Sequence, residues 1–182
     1  MTLRPYAAAV AAGAVVLSLL ATAPAHALPP TTRTVKDASE PDKAFDILQV
    51  SMRSAPKSTR PAVVLVTHAR KVKPGDVIDV WFDLDGDKIP DLHVSGAAFS
   101  ESTVHKTHSF TKDGKDITDK DCARLAMAGT MSKIRLFPTC VGSPVSFAVA
   151  VKSSTFKMPA STDDWAPRTR KFTGPVLAAP LT

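Results

Sequence analysis

The stretch DLDGDKIPDLHV, residues 83–94, concentrates the ligating side chains of this chain. Asp83, Asp85, Asp87 and Asp91 fall at relative positions 1, 3, 5 and 9 of a calcium loop, and the Ile89 carbonyl falls at position 7. Calcium takes about six to eight oxygen ligands, so carboxylates at alternate residues of a tight loop are the donors it needs. Two positions depart from the EF-hand pattern: position 6, normally glycine, is Lys88, and position 12, normally a bidentate glutamate, is Val94. The loop also follows one strand-like segment and leads into another. The competing reading is a solvated acidic turn, with Asp85-Gly86 turning the chain and water and Lys88 screening the charge. A weak extracellular calcium site of structural rather than catalytic type, or a turn alone, are the two readings of this loop.

Other residues offer less. Trp81 alternates with Asp79 and Asp83, on the face opposite Ile78, Val80 and Phe82. Trp81 reads as packed in a second layer or beneath the N-terminal segment; the alternative is a ligand platform, since a flat ring beside carboxylates suits a sugar. Trp165, in STDDWAPRTRKF, reads as an anchor for the C-terminal segment, with Arg168 or Arg170 pairing with Asp163 or Asp164. His93, His105 and His108 read as surface histidines. No G-x-S-x-G occurs, Ser143 precedes a proline on a turn, and no Gly-rich phosphate loop is present. No catalytic residue and no cofactor other than calcium is therefore assigned. Cys122 and Cys140 are the two cysteines, the number that makes one bridge in an oxidising compartment.

Alternating strands must position these groups. DILQVSMR, PAVVLVTHA, DVIDVWFDL and PVSFAVAVK each alternate apolar residues along one face, and the second is apolar on both faces, as a central strand would be. Shorter candidates lie at 91–96, 102–110, 123–128 and 133–138, punctuated by Pro74-Gly75, Asp113-Gly114, Gly129-Thr130 and Gly142-Ser143-Pro144. The cysteines flank the last two, so a bridge would tie the open ends of one hairpin. Seven to nine short strands and one disulfide predict an all-β fold. The expected form is an antiparallel two-sheet sandwich, immunoglobulin-like or jelly-roll-like, with a partly open barrel as the alternative.

The first 27 residues read as a signal peptide: Arg4, an apolar run over 7–20, and the small-x-small Ala25-His26-Ala27. Residues 28–44 read as a flexible lead-in, 45–175 as the sandwich domain and 176–182 as a C-terminal tail; the final FTGPVLAAPLT either adds a short edge strand or frays. Of the 23 basic side chains, 22 remain after Arg4 is removed, against 17 acidic ones. This modest, scattered excess lacks the interleaved aromatics of a nucleic-acid surface. No second apolar segment is long enough to span a membrane, so the expected location is extracellular.

The D-I-L-x-V strand at 46–50, W-F-D-L-D-G-D-x-x-P-D-L at 81–92, the paired cysteines and D-W-A-P-R at 164–168 resemble a group of small exported actinobacterial proteins. The resemblance covers roughly 45–175. It implies a β-sandwich and export, implies no activity, and transfers no catalytic or binding residue. The expected function is a secreted, non-catalytic binding or structural module, its partner a cell-wall polymer, a carbohydrate or another extracellular protein. The alternative is a small extracellular hydrolase or an accessory factor of one.

Overall fold

The computed structural model describes residues 28–156 and 158–180; the expected signal peptide lies outside them. The strands are β1 (Thr32–Lys36), β2 (Ile47–Arg53), β3 (Ala62–His68), β4 (Asp76–Asp83), β5 (Leu92–Ala97), β6 (Ser102–Thr107), β7 (Asp113–Asp116), β8 (Ala123–Ala128), β9 (Met131–Leu136), β10 (Ser146–Thr155), β11 (Asp164–Ala166) and β12 (Val176–Leu177). Two antiparallel sheets result. One runs β1-β2-β3-β9-β8; the other runs β11-β10-β4-β5-β6-β7, with β12 also paired to β10. No helix among the described residues is long and apolar enough to cross a membrane.

Alternation explains how the sheets close on each other. Val50, Met52, Val64 and Val66 from one sheet join Ile78, Val80, Phe82, Val94, Val149 and Val151 from the other in a single buried cluster. Burying each such side chain contributes about 1.5–3 kcal/mol, so the pairing register is held by the face that faces inward. β3 is the middle strand of its sheet, as its two apolar faces require. The β8–β9 hairpin turns at Gly129, whose φ of 59° is the left-handed conformation glycine adopts freely. Cys122 and Cys140 bridge the open ends of that hairpin with Cα atoms 5.2 Å apart. Closing this loop stabilises the fold by about 3 kcal/mol on the chain-entropy model.

Three expectations need correcting. Residues 28–44 are not a loose lead-in throughout: β1 pairs with β2 from Thr32↔Arg53 to Lys36↔Gln49, and Thr34 and Ser51 share a hydroxyl hydrogen bond of 3.0 Å. An edge strand with polar side chains carries no apolar alternation to betray it; its ladder is backbone. Residues 176–180 of the expected tail are not free either. Val176, Leu177 and Ala178 are buried, β12 pairs with Ser146 and Phe147, and Ser54 Oγ donates to the Leu177 carbonyl at 2.7 Å. Finally, Asp113-Gly114 is not a turn but the start of β7. A Cβ at Gly114 would stand 2.6 Å from the Lys106 carbonyl oxygen, so glycine here permits strand approach rather than chain reversal. With β11, these strands raise the total among the described residues to twelve, above the seven to nine expected.

His68 ends β3 inside the sandwich, 2% exposed, stacked on Phe45 at 3.8 Å and hydrogen-bonded through Nε2 to Ser132 Oγ at 2.9 Å. Burial, against the opposing pull of Asp76, lowers its pKa from 6.5 to about 4. The unfolded histidine takes a proton near 6.5 while the folded one resists until about 4, so the unfolded state binds more protons between those values. Stability present above the unfolded pKa is therefore lost as pH falls through this window. Urea unfolding should show a loss of about 2–3 kcal/mol between pH 7 and pH 4.5 that is largely absent in His68→Gln. An equal loss in both proteins would remove His68 from the acid response.

Candidate functional site

β4 delivers Asp83 to the loop at the end of the sheet, and the Asp91 N–H returns to the Phe82 carbonyl at 2.8 Å before β5 begins. The aspartates are bound up in the loop itself. Asp83 accepts the Gly86 N–H at 2.7 Å and the Lys88 N–H at 3.2 Å. Asp85 accepts the Asp87 N–H at 3.1 Å, Asp87 the Ile89 N–H at 2.6 Å and Asp91 the Leu84 N–H at 2.7 Å. Lys88 has φ 69°, so the left-handed bend that an EF-hand assigns to glycine at position 6 is made here by a lysine.

Three of the four expected carboxylate ligands converge. One carboxylate oxygen each from Asp83, Asp85 and Asp91 lies within 4.8 Å of the others. Two oxygens on one calcium ion stand no more than about 5 Å apart, so these three are spaced for a shared cation. Asp87 falls outside the set and instead holds the Ile89 N–H. Burial raises the Asp91 pKa; the Leu84 N–H opposes this, and the charges of Asp85, Asp83 and Asp87 add to the rise. A cation at this position would relieve that repulsion.

The outer face of the same sheet holds a second constellation, which alternation alone does not announce. Trp81 is 3% exposed: His93 stacks on it from β5 at 4.5 Å and Trp165 from β11 at 5.2 Å, with Phe110 tilted against it at 5.4 Å. Trp81 is therefore not an open ligand platform; both ring faces are already covered. Ala150, opposite Trp81 on β10, has the short side chain that lets Trp165 lean in from the edge. Trp165 does anchor the C-terminal segment, but not with the ion pairs expected. Asp164 accepts the Ile47 and Trp165 N–H groups, Asp163 approaches Lys152 at 3.9 Å, and neither Arg168 nor Arg170 pairs with them.

Beside the ring stack, Asp79 is buried and fully engaged. It accepts from Ser95 Oγ at 2.6 Å, meets His93 Nε2 at 3.2 Å and pairs with Lys152 Nζ at 3.0 Å. His93 Nδ1 meets Asp113 Oδ1 at 2.6 Å on β7. His93 is thus a buried residue, not a surface histidine. Burial works against its charged form, yet the bonds and charges of Asp79 and Asp113 outweigh it and hold its pKa above the usual value. Burial likewise opposes the Asp79 anion, and His93, Ser95 and Lys152 together hold its pKa below the usual value. Ser95 donates to a carboxylate rather than to an imidazole, the reverse of the relation that activates a serine nucleophile. The network's local signal was Asp79 amid the apolar residues of β4; its partners Lys152 and Asp113 are too distant in sequence to be inferred.

No protein-family model, curated protein or solved structure gives a significant match to the chain.

The two carboxylates on His93 should differ in weight. Asp79→Ala removes the buried carboxylate that Lys152, His93 and Ser95 share and should cost about 3–5 kcal/mol in urea unfolding. Asp113 is 46% exposed, and Asp113→Ala should cost about 1 kcal/mol or less. Equal costs would mean that Asp79 is better solvated than its burial indicates.

Proposed function

We propose that the protein is an exported, non-catalytic binding module whose β4–β5 loop takes up calcium outside the cell. The observation that carries this reading is the convergence of Asp83, Asp85 and Asp91 within 4.8 Å. The loop is already closed by side-chain-to-backbone bonds, so little chain ordering opposes ion binding. Three carboxylates are fewer donors than an EF-hand supplies, which places the affinity in the range of extracellular modules, about 10⁻⁴–10⁻³ M. The Cys122–Cys140 bridge and the small-x-small motif before Leu28 support export. The ion's role is to neutralise the loop and stiffen the end of the sandwich.

Thermal unfolding in EDTA and in calcium, with magnesium as control, tests the proposal. At tenfold excess over the dissociation constant, calcium should add about 1.4 kcal/mol, a shift of a few degrees. Asp85 is exposed, so Asp85→Ala should leave stability in EDTA within about 0.5 kcal/mol and abolish the calcium increment. Identical midpoints in EDTA and calcium for the parent protein would reduce the loop to an acidic turn.

A further inference from the structure

A cleft of about 390 Å³ opens between the β4–β5 loop and the segment joining β11 to β12. Lys88 stands on the loop side, Arg170 and Lys171 on the other, and Phe172 forms part of the wall. Ser146 and Ala148 of β10 line it with short side chains that leave the space open. This volume lies within the usual range for small-molecule sites, about 300–1,000 Å³.

Charge is what distinguishes the cleft. Three cations line it against one carboxylate, Asp83. Each Asp83 oxygen accepts one backbone N–H of the loop, from Gly86 and from Lys88, and Asp83 is 4% exposed. Lys88, Arg170 and Lys171 take part in none of the ion pairs of the described residues. Lys88 and Arg170 also hold φ values of 69° and 54°, a conformation that costs L-residues about 1 kcal/mol or more. Strained backbone of this kind concentrates at ligand sites, where surrounding bonds hold it. Here the Lys88 N–H is fixed by Asp83, and the turn carrying Arg170 is closed by the Lys171 N–H on the Arg168 carbonyl at 3.1 Å. Phe172 is held in turn by Phe110 at 5.3 Å, which packs on Trp81.

We propose that this cleft binds an anionic saccharide, a sugar ring bearing a carboxylate or a phosphate. The anion is met by Lys88, Arg170 and Lys171, for which charge-assisted hydrogen bonds to carboxylate or phosphate are the strong ones. The ring's apolar C–H face lies against Phe172, and Ser146 offers a hydroxyl to the ring hydroxyls. This rests on the binding-module reading above, but not on the calcium ion.

The test is a backbone-amide NMR titration of the oxidised protein with glucuronate, glucose 1-phosphate, glucose and inorganic phosphate, each run in EDTA and in calcium. The expected result is saturable shifts at Lys88 and at residues 170–173 with one or both anionic sugars. Glucose and phosphate alone should bind at least tenfold more weakly. Lys88→Gln with Arg170→Gln, both exposed and remote from the core, should weaken binding at least tenfold with the rest of the spectrum unchanged. Preference for glucuronate or for glucose 1-phosphate identifies the anion as carboxylate or phosphate. Glucose binding as tightly as its charged counterparts would overturn the role of the cations, and phosphate binding as tightly as glucose 1-phosphate would overturn the role of the ring. No shift at the cleft with either anionic sugar at roughly 10 mM, ten times a millimolar dissociation constant, would overturn the proposal. A calcium-dependent rise in thermal stability would then still stand on its own.

Discussion

Taking the Asp79 carboxylate out of water costs several kcal/mol unless its lone pairs are met by well-placed donors, and the outer face of the seven-stranded sheet is organised around meeting them. Ser95 and His93 reach it from β5, and Lys152 reaches it from β10. His93 cannot make that bond without standing upright beside Trp81, and in doing so it offers its ring as one side of the stack. Trp165 takes the other side and brings β11 onto the sheet edge. Asp113 then draws β7 in from the far side through His93. One buried charge thereby holds in place a roof assembled from strands that share little sequence proximity.

Three successive outward residues of β4 meet three different fates. Asp79 is enclosed by charged partners, Trp81 lies between two rings, and Asp83 is spent on the backbone of the loop that follows. All eight residues of β4 are buried, although half of them point away from the sandwich core. The strand is therefore a spine between two packed layers rather than a half-exposed strand. It carries the rigidity of both to the loop end, where the aspartates and the basic cleft lie side by side. Sites fixed to such an element keep their geometry better than sites on a free loop.

Much of the fold was legible from alternation. The segments at 46–53, 61–69, 76–84 and 144–152, and the four shorter ones, are all strands, because burying one face of a sheet writes a period of two into the side chains. The Cys122–Cys140 bridge was legible for a different reason, that two cysteines flanking one hairpin have only each other. The strands that escaped detection are β1, β7, β11 and β12. They are short or polar edge elements whose stability comes from backbone pairing and from a few tertiary contacts, neither of which constrains side-chain type. Of the candidate site, the convergence of Asp83, Asp85 and Asp91 followed from their spacing in a tight loop. For Trp81 the sequence pointed to packing but not to its partners, because an outward tryptophan looks the same whether solvent or Trp165 lies over it.

By itself the sequence determined an all-β chain, the hairpin that the disulfide closes, the central place of β3 and an aspartate loop between two strands. All of these depend on neighbours within a few residues or on periodicity, which a linear chain records directly. Only the tertiary structure decided that His93 is buried between Asp79 and Asp113, that Trp81 is covered, and that Lys88 faces Arg170 and Lys171 across one cleft. Those arrangements join residues on different strands, well separated along the chain. Their energies come from desolvation and packing among partners that no local pattern specifies.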